Sequence, residues 1–234
     1  LKVAPAVTGP GAASGAGRGR AMRAFDHLVL PSADLAEQAN RYGRMGFQVG
    51  ARNRHPWGTE NHLVQLPDCY LELIGMGEGA VPPDHAPRRF SFGAHVQDRA
   101  RGTRGGMSML AFATADAAGE ARWLAQAGLA DFEPFHFGRK GRGPAGEEVE
   151  LAFTLAFSEP AALGRLCFFF CQHHFPENFW RPALQRHANT ATGVAEIIVT
   201  GARPQAAASV LQRLLGGTPA PAADGVSALL CNGR

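Results

Sequence analysis

The sequence predicts an α+β protein built from repeated βαβββ modules whose strands form one curved, mixed sheet around a cavity. Three observations lead there. A stretch of 21 residues recurs without a gap at 26–46, 108–128 and 196–216, with offsets of 82 and 88 residues. Each copy reads as an apolar strand, a polar break, an amphipathic helix and a glycine, so that Gly46, Gly128 and Gly216 fall in register. Further short apolar runs bounded by turn residues follow the first two copies. One such unit leaves a sheet face uncovered, so the modules must pair.

The elements follow in chain order. Residues 1–21 are small, flexible and nearly free of large apolar groups, and read as a flexible tail preceding a fold that starts near Met22. Module one spans 22–75. It opens on a strand, Asp34 caps its helix, and strands follow at 47–50, 62–66 and 70–74, with the loop ARNRHPWGTEN between the first two of these. A connector, 76–106, holds a Pro/Gly turn and a short helix around 90–98. Module two, 107–172, repeats the order: strand 107–113, helix 116–127, strand 132–135, basic loop GRKGRGPAGEE, and strands 149–157 and 166–172. A polar and aromatic connector, 173–193, leads to an incomplete third module, 194–234, which lacks a fourth strand. Its open edge must pack on the first two modules or on a second chain, which leaves a homodimer as one option.

Composition excludes several functions. Net charge is +3 with arginines scattered among acids, and no basic run marks a nucleic-acid footprint. The apolar runs are too short to span a bilayer. No Gly-rich phosphate loop appears, so no nucleotide cofactor is expected. The tail has arginines but no apolar segment of a secretory signal. Cys69, Cys167, Cys171 and Cys231 sit at no disulfide or metal-clip spacing, which fits free thiols and a cytoplasmic protein.

The strand opening FDHLVL puts His27 on the first strand, and YLELIG puts Glu72 on the last strand of module one. Strand alternation sends Tyr70 and Glu72 to one face and Leu71 and Leu73 to the other. A buried carboxylate among apolar neighbours needs a partner or a metal. The bland alternative pairs Asp26 or Glu72 with an arginine and leaves His27 as a hydrogen-bonded core residue. The loop RHPWGTENH offers His55, Trp57, Asn61 and His62, with the Trp57 ring as a stacking surface. The helix charges Glu37, Arg41, Arg44, Glu120 and Arg122 read as solvated faces. Arg139, Lys140 and Arg142 read as a solvated hairpin tip, with attraction of an anionic substrate as the functional alternative.

These stretches, with the later run CQHHFPENFW…HANTATG, resemble the glyoxalase-like domain of the vicinal oxygen chelate superfamily, from residue 25 to about 215. The resemblance implies that superfamily's fold, and a curved sheet holding one divalent metal through a His of the first strand and a Glu of the fourth in each module. It maps His27 and Glu72 onto the metal positions of module one. Module two departs from the pattern: Met109 stands at the place of His27, and its last strand offers Cys171, Gln172 and His173 but no glutamate. A third ligand would come from His173 or His187, a set suited to Zn, Fe or Mn. The implied activity is that of a metal-dependent lyase, isomerase or dioxygenase on a small oxygen-bearing substrate. His55 or His173 would move protons, and Trp57, Asn61, His62, His187 and Asn189 would contact substrate. The alternative is a metal-free protein that binds or sequesters a small molecule in the same cavity.

Overall fold

The computed structural model describes residues 23–101, 106–199, 204–215, 220–221 and 227–230. The expected tail, Gly216 and Cys231 lie outside them. Module one contains β1 (Phe25–Pro31), α1 (Leu35–Arg44), β2 (Asn53–Arg54), β3 (Thr59–Gln65) and β4 (Tyr70–Met76), and α2 (Phe92–Ala100) follows. Module two contains β5 (Met109–Ala113), α3 (Ala117–Gln126), β6 (Phe135–Arg142), β7 (Glu148–Ser158) and β8 (Cys167–His173). Then come α4 (Pro176–Phe179), β9 (Glu196–Val199), α5 (Pro204–Leu215), β10 (Ala220–Pro221) and β11 (Ser227–Leu230).

The two modules share one eight-stranded sheet of order β2-β3-β4-β1-β5-β8-β7-β6. β1 runs parallel to β4 and β5 parallel to β8, while β1 and β5 join antiparallel at the centre. The register at that seam pairs His27 with Ala111 and Val29 with Met109. Adding the sequence offset of 82 to 27 and 29 gives 109 and 111. The pairing therefore maps onto itself, and the repeat offset is the pseudo-twofold of the sheet. Both repeat helices start at a capping aspartate, Asp34 accepting from the Glu37 N–H and Asp116 from the Gly119 N–H. Both modules close their helices on a left-handed glycine, Gly46 at φ +86° and Gly128 at φ +63°.

Alternation along the strands sorts the core into two sides. The concave side carries Val29, Tyr70, Met109, Phe153, Phe157 and Phe169. On the convex side α1 covers Leu30, Leu71 and Leu73, while α3 and α5 cover Leu110, Phe168 and Phe170. The third-module strands form a separate sheet, β10-β11-β9. Ile197, Leu211 and Leu214 from this segment join the convex core of module two, so the segment packs within the chain.

Three expectations are corrected. No strand forms at 47–50; the edge strand is β2, which pairs Asn53 with Asn61. The strand expected at 132–135 starts at Phe135 and continues through the supposed basic loop to Arg142, because each of its residues pairs with β7. Arg139 therefore belongs to a strand and not to a solvated tip. Glu120 is buried: it takes both guanidinium nitrogens of Arg23 at 2.6 and 2.7 Å, and that guanidinium lies 3.9 Å from the Phe170 ring centroid. Among the described residues no helix is long and apolar enough to cross a membrane.

Candidate functional site

The concave face closes over a cavity with about 430 Å³ of empty space, mouth included, of which about 40 Å³ admits the centre of a water molecule. It is lined by His27, His55, Trp57, Asn61, Glu72 and Arg139 among a majority of apolar and aromatic side chains. β2 and β6 are the two edges of the sheet, yet Arg139 on β6 donates to the Asn53 side-chain oxygen on β2 at 3.3 Å. Curling of the sheet has brought its edges together across the mouth. Trp57 reinforces the closure, with its ring centroid 5.1 Å from Phe135 and 4.8 Å from Phe137.

His27 is 2% exposed and sits on the concave face, stacked on Tyr70 at 4.1 Å between ring centroids. Its Nδ1 lies 2.6 Å from Asp26 Oδ2. A carboxylate can only accept, so Nδ1 carries the hydrogen and, in the neutral ring, Nε2 presents its lone pair to the cavity. Regular alternation would send Asp26 to the convex side. A break in register between Phe25 and His27 inserts one extra residue there, which leaves Phe25 with the convex core and turns Asp26 inward. Asp26 also accepts from His173 Nε2 at 3.3 Å. Burial alone would push its carboxyl upward, but the hydrogen bonds from His173 and His27 hold it well below the usual carboxylate range.

Glu72 faces His27, its Oε2 3.9 Å from His27 Nε2. Its Oε1 accepts from Asn61 Nδ2 at 2.6 Å and lies 3.8 Å from His55 Nε2. Burial raises its pKa against the opposing pull of His27, the Asn61 bond and Arg139. His55 meets the Thr59 hydroxyl through Nδ1 at 2.8 Å and stacks on Trp57. Burial first, and then the charge of Arg139, push it down to about 3, so it is neutral at physiological pH. A chain of hydrogen bonds thus runs from Arg139 to Asn53, from Asn53 to Asn61 at 3.1 Å, and from Asn61 to Glu72.

The structure gathers His27, His55, Trp57, Asn61 and Glu72 at the cavity, but not the other expected residues. His62 points from the opposite face of β3 and bonds the Gly50 carbonyl at 2.8 Å. His173 stands behind Asp26, outside the cavity lining, with Nδ1 buried and unpartnered. His187 has both ring nitrogens engaged, with the Gln48 N–H and the Gln65 carbonyl, and Asn189 donates to the Met45 carbonyl. These two seat the connector against module one and do not reach the cavity. Sequence reading missed Asp26 as a working group and discounted Arg139. Alternation from the Phe135–Phe137 pair was the available signal for Arg139.

Where module one offers His27 and Glu72, the twofold-related places of module two hold Met109 and Phe169, 0% and 1% exposed. Among the described residues, Asp26, His27 and Cys171 place donor atoms within 4.8 Å of one another. Burial keeps the Cys171 thiol protonated, with Asp26 and Glu72 adding to the effect, and Asp26 is committed to His27 and His173. His27 Nε2 and Glu72 Oε2 carry no hydrogen bond among the described residues and remain free for a cation. Two atoms ligating one ion at ~2.1 Å stand no more than ~4.2 Å apart, and their 3.9 Å separation meets that test.

Paired βαβββ modules curling around a single cavity, with a His and a Glu on neighbouring strands of one module, define the vicinal oxygen chelate fold. The chain belongs to the glyoxalase-like domain family, whose family model matches residues 25–215. Similar solved structures include methylmalonyl-CoA epimerase from Mycobacterium tuberculosis, 16% identical over 64% of this chain and 88% of that one, with a TM-score of 0.43. A hypothetical protein from Staphylococcus aureus is 15% identical over 65% and 60%, TM-score 0.49. A variant of 4-hydroxymandelate synthase from Streptomyces coelicolor is 14% identical over 65% and 49%, TM-score 0.41, so the chain spans about half of that protein. No curated protein sequence matches.

Proposed function

We propose that this protein is a metal-dependent glyoxalase-like enzyme, a lyase, isomerase or dioxygenase acting on a small oxygen-bearing substrate. The observation that carries the reading is the pair His27 Nε2 and Glu72 Oε2, buried and 3.9 Å apart, with the outer nitrogen of His27 locked by Asp26. An orienting carboxylate behind a histidine is the usual support of a metal ligand. His27 and Glu72 would hold a Zn, Fe or Mn ion, which when bound supplies a Lewis acid for paired substrate oxygens. Asn61 fixes one Glu72 oxygen and leaves the other free for the ion. His55, with Nε2 3.8 Å from Glu72 Oε1, is placed to accept or return a substrate proton, and the burial that weakens it as a base in the empty cavity makes this placement its main qualification. The aromatic walls exclude water, and Trp57, stacked on His55, forms part of the wall that a flat substrate would meet. His173 acts at one remove, by positioning Asp26.

The test is a thermal melt of protein purified without a histidine tag, with and without each metal. An ion at 100 times its Kd stabilises by about 2.7 kcal/mol, or roughly 5–11 °C for a chain of this size. His27→Ala and Glu72→Gln should each abolish the shift, and the second changes side-chain volume little. No shift in the wild type would overturn the reading. Metal-free binding of a small apolar molecule would then stand in front, and Met109 and Phe169 at the module-two ligand places favour that alternative.

A further inference from the structure

We infer that Arg139 is the carboxylate-binding residue of the cavity, so that its substrates are small organic acids with a flat or apolar body. This deepens the enzymatic reading above and rests on it for the word substrate. β6 presents three basic side chains, and alternation separates them. Lys140 is exposed and pairs with Glu148 at 2.7 Å, and Arg142 is exposed as well. Arg139 instead turns with Phe135 and Phe137 toward the cavity, among aromatic walls.

Arg139 is partly buried, and a guanidinium that loses hydration normally gains a carboxylate partner in compensation. Among the described residues Arg139 has none within 4.0 Å. Its Nη1 reaches two neutral oxygens, Asn53 Oδ1 at 3.3 Å and the Lys140 carbonyl at 3.4 Å. Its Nε is buried without any hydrogen bond. The nearest cavity acid, Glu72, is held by Asn61 and faces His27. The site therefore contains a cation with an unused donor, in a fork suited to bidentate recognition of a planar carboxylate. With a divalent ion at Glu72 the cavity gains positive charge, and the case for an anionic occupant strengthens. The small space behind the mouth limits that occupant to a compact molecule.

The experiment is calorimetric titration of the metal-loaded full chain, and of the same chain after chelation, with benzoate and with benzamide. The two probes differ in one charged oxygen. Wild type should bind benzoate at least ~10-fold more tightly, the scale of a charge-assisted bidentate contact. Arg139→Gln should bring benzoate to the affinity of benzamide. Arg139→Lys keeps the charge without the fork and should retain an intermediate preference, which guards against a folding defect in the first variant. No preference in wild type, including no binding of either probe, overturns the inference. So does a preference that survives Arg139→Gln. A preference that depends on Arg139 but occurs in a protein without any metal-induced shift supports the carboxylate site and refutes the metal reading alone.

Discussion

Asp26→Asn separates the orienting role of this residue from bulk packing, since volume is kept and only charge is lost. Asp26 is 4% exposed and accepts from His27 Nδ1 at 2.6 Å and from His173 Nε2 at 3.3 Å. Both bonds end on Oδ2, and an asparagine oxygen in that place can accept both, but without the negative charge, while its amide hydrogens take the place of Oδ1. Both bonds survive as neutral ones, and the loss of charge assistance in the two together costs about 1.5–3 kcal/mol. That predicts melting roughly 3–12 °C lower at pH 7. The folded pKa of Asp26 lies below its ordinary 3.8, since the bonds from His173 and His27 outweigh burial. Its stabilisation is therefore complete above that value and is lost only as the pH falls below it. Metal affinity should fall about 10- to 100-fold, the usual effect of removing the group that orients a ligand. Melts of wild type and variant from pH 7 to pH 3, with and without metal, read all three quantities. An unchanged melting temperature, a deficit as large at pH 3 as at pH 7, or an undiminished metal shift would refute the assignment.

Three other outcomes follow. His95 is buried and pushed down to about 3, burial being the main cause, so the unfolded chain takes up a proton below pH 6.5 that the folded chain refuses. Wild-type stability should fall on acidification from pH 7 to pH 5, by up to roughly 1.4 kcal/mol per pH unit from this group, and His95→Gln should flatten the slope in pH-dependent melts. Gly46→Ala should cost more than Gly128→Ala, because both positions are left-handed but a Cβ at 46 meets Asn189 at 3.0 Å while one at 128 meets nothing; equal losses of about 1–2 kcal/mol in denaturant titration would mean that the connector is not seated there. Phe169→Ala should cost about 3–5 kcal/mol by urea unfolding, a buried aromatic replaced by a void, and a loss below ~1 kcal/mol would contradict its 1% exposure.

The fold was legible because the repeat is ungapped: its offset of 82 is the operation that relates β1 to β5. Boundaries failed where a partner strand decides them. Gly138 and Gly141 suggested a loop, but β6 pairs with β7 through both, a tertiary preference that local propensity does not contain. In the site, His27 and Glu72 were legible from strand parity. Parity also separates Asn61 from His62, which lie on opposite faces of β3. Asp26 was hidden by the register break, since an extra residue in a strand leaves no mark in the hydrophobic pattern. His187 and Asn189 share the residue types of the site but not its location. Their actual partners, Gln48, Gln65 and Met45, lie more than a hundred residues away in sequence.

The repeat also explains why the chemistry is lopsided. A twofold pair of modules starts with equivalent places at 27 and 109 and at 72 and 169, and a symmetric site would ligate from both sides. Here Met109 and Phe169 close one side with apolar bulk, so an ion held by His27 and Glu72 would keep its remaining positions for water or substrate. Module two contributes from its edge instead, where Arg139 crosses the mouth to Asn53 and faces the same cavity. The hydrogen-bonded line Arg139–Asn53–Asn61–Glu72 then couples the two contributions. Drawing Arg139 toward an anion would compete with its bond to Asn53, whose amide holds Asn61 against Glu72. An anion that drew Arg139 away would thereby loosen the amide that fixes Glu72.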